Sequence, residues 1–160
     1  MIVSSLDIFE QIVRVAHQFS ESEAPTPDAS HPFDARNVHP DLPVDVRSLF
    51  DGGHFPQATF EAFKYVDEEM QRISGSSDYG SSMMLRVLGG TPPTVRLNPG
   101  MTKSEQSEQE GFKFLFAGAI LGIRNPRGHK TGISDDPDTC LDHLSLASML
   151  LRRLDEAGLR

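Results

Sequence analysis

The sequence is poor in cysteine, in long apolar runs and in positive charge. Its single thiol, Cys140, excludes an internal disulfide and a cysteine-based zinc site. No apolar stretch of the chain approaches the ~20 residues that span a bilayer. The first residues, MIVSSLDIFEQIV, carry acids early and no basic stretch, unlike a secretory signal. These absences predict a cytoplasmic protein in a reducing setting, with no membrane role. The formal net charge is −8. That argues against a general nucleic-acid coat protein, because phosphate binding needs a local positive field. It leaves room for a small basic pocket. The dense basic cluster beside a candidate site is Arg124, Arg127, His129 and Lys130. An ordinary solvated loop would present the same charges.

The chain divides into three stretches. Residues 1–19 read as an N-terminal amphipathic helix, with Ile2, Leu6, Phe9, Val13 and Ala16 on one stripe. Residues 20–39 read as an acidic linker rich in proline and serine, opening SESEAPTPDASHP. Residues 40–160 read as a helical domain. There Asp41 is expected to cap a helix with Pro43 in its first turn, ended by Asp51-Gly52-Gly53. A helix over about 55–73 follows, with Phe55, Ala62, Val66, Met70 and Ile73 on one face. A short helix within 78–88 carries Met83 and Met84, which read as core rather than as a metal or cofactor box.

The next helix has two candidate capping boxes, Thr102 to Glu105 and Ser107 to Glu110. Phe112, Leu115, Phe116, Ala119, Ile120 and Ile123 make one apolar side, and Phe114, Ala117, Gly118 and Leu121 make the other. A helix apolar nearly all round is predicted to sit at the centre of a bundle. Pro126 is expected to end it, because a proline disfavours helix at the residue before it, Asn125. A last helix over about 139–157, capped by Asp138 or Thr139, has Leu144, Ala147, Leu151 and Leu154 as its seam and Gly158 as its stop. The sum is an all-α antiparallel helical bundle of four to six helices.

The chemistry concentrates in RNPRGH, residues 124–129. An arginine leaving the end of a buried helix is a fixed, permanently charged fork for phosphate oxygens. A histidine five positions on can exchange a proton near neutral pH. Together Arg124 and His129 form a minimal kit for phosphodiester cleavage without a metal. The histidine acts on the 2′-hydroxyl or the leaving oxygen, and the arginine stabilises charge building on phosphorus. An Arg-x4-His spacing arises by chance about 0.4 times in a chain of this composition. Cations at a helix C-terminus would also answer the helix dipole. Arg127 and Lys130 are placed to meet substrate phosphates, and His54 and Lys64 are further candidates for the cleft.

Other patterns fail. GIRNPRGHKT imitates a phosphate-binding loop, but the glycines are one residue too far apart and His129 separates Gly128 from Lys130. Asp135, Asp136 and Asp138 lack the spacing and distal glutamate of a calcium loop. Cys140 and His143, at i and i+3, read as a buried thiol beside a helix histidine rather than a nucleophile pair. No metal and no cofactor is expected.

The stretch GFKFLFAGAILGIRNPRGH, followed by SLASMLLRRLDEA, resembles the C-terminal core of the Ymh-type family of bacterial proteins of unknown function. FDGGHFPQATFEAFKYVDEEM looks like that family's earlier helix, so the likeness covers about residues 40–157. That family is similar to the HEPN superfamily of helical domains. The resemblance implies a HEPN-like bundle that forms a homodimer. It also implies a metal-independent ribonuclease of the toxin–antitoxin or phage-defence kind, with RNA and an antitoxin or defence protein as partners. The Arg, polar residue and His of the HEPN motif carry over to Arg124, Asn125 and His129. Two chains would then each supply half of one cleft. Some HEPN domains only bind nucleotides or partner proteins, so a catalytically silent module is the alternative, and a purely structural helical dimer a third reading.

Overall fold

The computed structural model describes residues 30–130 and 132–160. The expected N-terminal helix over 1–19 and most of the expected linker lie outside these residues. Pro32–Arg160 forms one compact unit. Apart from an isolated bridge between Gly90 and Pro93, every regular element among the described residues is helical. None of those helices is long and apolar enough to cross a membrane.

The unit begins within the expected linker. A single turn, α1 (Pro32–Ala35), buries Phe33, whose ring meets Phe50 with centroids 5.2 Å apart. His39 is buried as well. Its backbone N–H donates to Ser148 Oγ at 2.9 Å, and its Nε2 lies 2.8 Å from Asp155 Oδ2. Two anchors into the later chain thus make residues 32–39 part of the fold. Polar and proline-rich composition alone did not show this.

Helix α2 (Val44–Asp51) starts after Pro43, with Val46 and Phe50 facing inward. Asp41 does not cap it; that carboxylate accepts a hydrogen bond from Arg160 at 3.1 Å instead. After the turn Gly52-Gly53-His54 comes α3 (Phe55–Ser74), close to the predicted span. Ala58, Ala62, Val66 and Met70 recur at i+4 and are fully buried. Gly75 ends α3 at a φ of 66°, a left-handed conformation that a glycine adopts without steric cost. Helix α4 (Gly80–Leu88) buries Met83 and Met84, as predicted, together with Val87 and Leu88. Between α4 and the next helix, Val95 and Leu97 are buried on an irregular loop.

Helix α5 (Lys103–Ala119) resolves the choice of start. Thr102 and Glu105 form the capping box, with Glu105 N–H donating to Thr102 Oγ1 and Thr102 N–H to Glu105 Oε2. Its interior is one-sided, against expectation. Phe116, Ala117 and Ala119 are buried, whereas Phe114, Leu115 and Leu121 are exposed. Both sides are apolar in sequence, but among the described residues a covering surface is supplied for only part of them.

The helix also does not end before Pro126. Ile120–Arg124 widens into a π turn, and α6 (Asn125–His129) continues it. Asn125 keeps helical angles, φ −61° and ψ −43°, and its N–H donates to Ile120 O, five residues back. The wider turn shifts the hydrogen-bond register just where proline has no N–H to give.

Helix α7 (Pro137–Glu156) is capped by Asp136 rather than by Asp138 or Thr139, with Thr139 N–H donating to Asp136 Oδ1 at 2.8 Å. Gly158 ends it as predicted. Its N–H reaches Asp155 O and that of Leu159 reaches Leu154 O, the paired bonds of a glycine C-cap. α3 packs against α2, α7 and the π turn, and α4 packs against α5.

One side chain ties the 89–102 loop to α5. Gln109 accepts from Leu97 N–H at 2.8 Å and donates to Leu88 O and Val95 O at 2.8 and 3.0 Å. Gln109→Ala strands three partly buried backbone groups and is expected to cost about 2–3 kcal/mol in denaturant unfolding.

Candidate active site

The motif rests on α3 through one aromatic ring. Arg124 and Gly128 stand at i and i+4, one above the other on the same helix face. The Arg124 guanidinium carbon lies 5.1 Å from the Phe60 ring centroid, within cation–π range. The same ring packs on Gly128, where an added Cβ would sit 2.7 Å from Phe60 Cε2. Glycine is therefore required by close approach, not by a turn.

Arg124 is further held by Asn125, whose Oδ1 accepts from Nη1 at 3.1 Å. The Arg124 Nε is buried without a hydrogen-bond partner. Arg124 makes no ion pair within the described residues, but its charge acts on Asp67, two turns along α3 from Phe60. Asp67 is buried and accepts the Gly80 N–H through both oxygens, at 2.9 and 3.1 Å. Burial raises its pKa above the usual carboxylate value, and the Gly80 hydrogen bond and Arg124 charge pull the other way.

His129 ends α6 and is exposed. Its side chain makes no hydrogen bond to another described residue. In helical geometry five residues place it roughly 140° round and 7.5 Å along from Arg124. Arg124 and Asn125 are thus brought together, while His129 faces outward from the surface that seats Arg124.

The remaining candidates separate. Arg127 is not a free phosphate donor. Its Nε and Nη2 bind Asp135 at 2.7 and 2.6 Å, and the two side chains are only 9% and 6% exposed. Its Nη1 donates to Ile123 O at 2.8 Å. Arg127 therefore fastens the loop after α6 and satisfies a carbonyl of the widened turn. Lys130 is exposed next to His129, its backbone N–H on Pro126 O. Lys64 lies between Phe60 and Asp67 along α3 and pairs with Glu61 at 3.1 Å. His54 precedes α3, folded back on Gly52, and its described contacts do not reach the motif.

Cys140 is the buried thiol expected. Thr59 Oγ1 donates to its sulfur at 3.5 Å, and burial raises its pKa away from thiolate chemistry. His143 lies within electrostatic reach of the Arg127–Asp135 pair, with Nδ1 buried and without a hydrogen-bond partner among the described residues. Burial first, and the Arg127 charge second, lower its pKa.

Sequence reading missed Phe60, Gly128 and Asp135. Two signals were present. Phe60 is a large aromatic off the main buried stripe of α3, and Gly128 is a glycine between helical residues with no turn to make. Nothing in the sequence marked Asp135 over Asp136 or Asp138 as the partner of Arg127.

Residues 36–154 match the model of a protein family described as "Protein of unknown function (Hypoth_ymh)". No curated protein and no solved structure matches the chain.

The glycine contact gives one expectation. Gly128→Ala should cost about 1–3 kcal/mol by pushing Phe60 away, whereas Gly111→Ala, in open space on α5, should gain about 0.5–1 kcal/mol. Chemical denaturation of the two variants compares them directly. His143 gives a second. Unfolded, it takes a proton near its ordinary value of 6.5; folded, it resists protonation to lower pH. The unfolded state binds more protons in that window, so stability falls as pH drops through 6.5 towards the folded value. His143→Leu is expected to flatten this part of the stability–pH curve.

Proposed function

Because the chain belongs to the Hypoth_ymh family, whose description assigns no function, the site itself is the guide, and we propose that it is a metal-independent endoribonuclease of HEPN type. It acts as a toxin or phage-defence effector, with RNA bound in a cleft shared by two copies. The observation that carries this reading is the seating of Arg124. A half-buried ring, a neighbouring amide and a close-packed glycine hold the guanidinium in place, and a free histidine follows on the same helix.

In this reading His129 of one copy takes the proton of a ribose 2′-hydroxyl. The freed oxygen attacks the adjacent phosphorus, closing a 2′,3′-cyclic phosphate. The bond to the 5′ oxygen breaks, and the partner's His129 protonates that leaving group. Arg124 stabilises the negative charge on the crowded phosphorus, and Asn125 orients the guanidinium. Divergence of Arg124 and His129 within one chain favours assembly of the site from two.

The uncovered side of α5 supports the dimer. Phe114 and Leu121 are 58% and 62% exposed, and Gly118 and Gly122 between and beside them leave open space. This stripe runs along the helix that leads into Asn125 and His129. Packing it against its own copy buries apolar surface and brings two motifs near one axis. Without cleavage, the same face suits the silent interaction module.

The test incubates the purified chain with RNA in EDTA. Wild type is expected to cleave, His129→Ala and Arg124→Ala to lose at least ~100-fold while staying dimeric, and Phe114→Glu with Leu121→Glu to become monomeric and inactive. Light scattering after gel filtration reads the assembly. No cleavage by wild type over a broad RNA panel would sink the enzyme reading.

A further inference from the structure

A groove of about 570 Å³ opens beside the motif, within the roughly 300–1,000 Å³ of small-molecule sites. Its apolar walls are Leu49, Pro56, Phe60 and Ile133, all half-buried. Gln57, exposed on the first turns of α3, and Lys130 stand at its margin. Gly128 also lines it, so the groove adjoins His129, the next residue. Its charged neighbours are largely occupied. Arg127 is bound to Asp135, and Glu61 to Lys64. What remains is an apolar slot with one carboxamide, which both donates and accepts, and one free ammonium at the edge facing the motif.

We infer that this groove is a nucleobase subsite, taking one unpaired base of the RNA next to the scissile phosphate, with Gln57 reading the base edge and Lys130 meeting the phosphate. The assignment of the adjoining phosphate as scissile rests on the ribonuclease reading. The slot itself does not. Unpaired bases are recognised by apolar or aromatic walls together with a few hydrogen bonds to their edges, and this wall and carboxamide supply both. A bare phosphate site would need more unpaired cations than the groove offers.

The test uses the isotope-labelled full chain, titrated separately with AMP, CMP, GMP, UMP and ribose 5-phosphate. At least one nucleotide is expected to shift the amides of Gln57, Gly132 and Ile133, and ribose 5-phosphate to leave them unmoved. Gln57→Ala, at an exposed helix position, should weaken the preferred nucleotide about 3- to 10-fold. On RNA, Ile133→Trp, which fills the slot, should raise KM about tenfold with kcat nearly unchanged. Nucleotide binding in the groove without any RNA cleavage supports the base subsite and defeats the ribonuclease reading. No amide shifts, or equal shifts from ribose 5-phosphate, overturn the subsite whether or not RNA is cleaved. If the tryptophan variant fails to fold, the titrations and Gln57→Ala still decide.

Discussion

The contact of the Phe60 ring with Arg124 and Gly128 is the constraint on which the site depends. The two residues stand one helical turn apart, so a single ring can cover both. The guanidinium takes the ring at cation–π distance, and the glycine admits its edge where any Cβ would collide. Three consequences follow from one packing event. α6 is fixed on α3, the charge of Arg124 is held beside that helix, and the next side chain, His129, is turned outward. The same ring walls the groove next to the motif. A change at Phe60 would therefore disturb charge placement and groove shape together.

That packing needs a helix that survives proline. Pro126 removes a donor and, in a regular α-helix, clashes with the carbonyl four residues back. The π turn over Ile120–Arg124 widens the backbone at that point, and Asn125 takes a five-residue hydrogen bond to Ile120 O. Arg127 donates to Ile123 O while its other two nitrogens grip Asp135. One side chain thus binds a carbonyl of the π turn and holds the following loop. The pair is buried and bidentate, so removing either partner would leave an uncompensated charge in the interior. The second arginine of RNPRGH serves the shape of the motif, and among the described residues only the first remains without a carboxylate contact.

Local signals made much of the helical framework legible. The i, i+4 alanine and valine stripe of α3 and the Thr102–Glu105 box mark real elements. The glycine after α7 does the same. What failed has a common cause. Periodicity says which residues can share a face, not whether another element arrives to cover it. Phe114 and Leu121 were read as core for this reason and are exposed. Residues 32–39 failed in the opposite direction. Their composition is that of a linker, but Phe33 and His39 find distant partners. The proline rule is local steric reasoning, and a register change two residues upstream evades it. At the site, Arg124, Asn125 and His129 were visible as a string. The seating of Arg124 and Gly128 on Phe60 was not, because a contact between residues 60 and 128 leaves no trace in the spacing of either.

Charge takes the same lesson further. A net −8 counts formal charges, whereas an RNA strand would meet only those near the motif. There Arg127 is neutralised by Asp135 and Lys64 by Glu61, and Arg124 and Lys130 make no ion pair within the described residues. In the proposed dimer, two such cations per copy would give four over the shared cleft. That field is strong enough to place one phosphate and too small to hold a long strand by counterion release. Grip would then have to come from elsewhere, and the proposed apolar slot for one base would supply it with little salt dependence. If the proposed ribonuclease reading holds, an acidic chain with such a short positive cleft is better matched to brief contact at one scissile step than to coating RNA, and its surface charge would oppose nonspecific binding elsewhere.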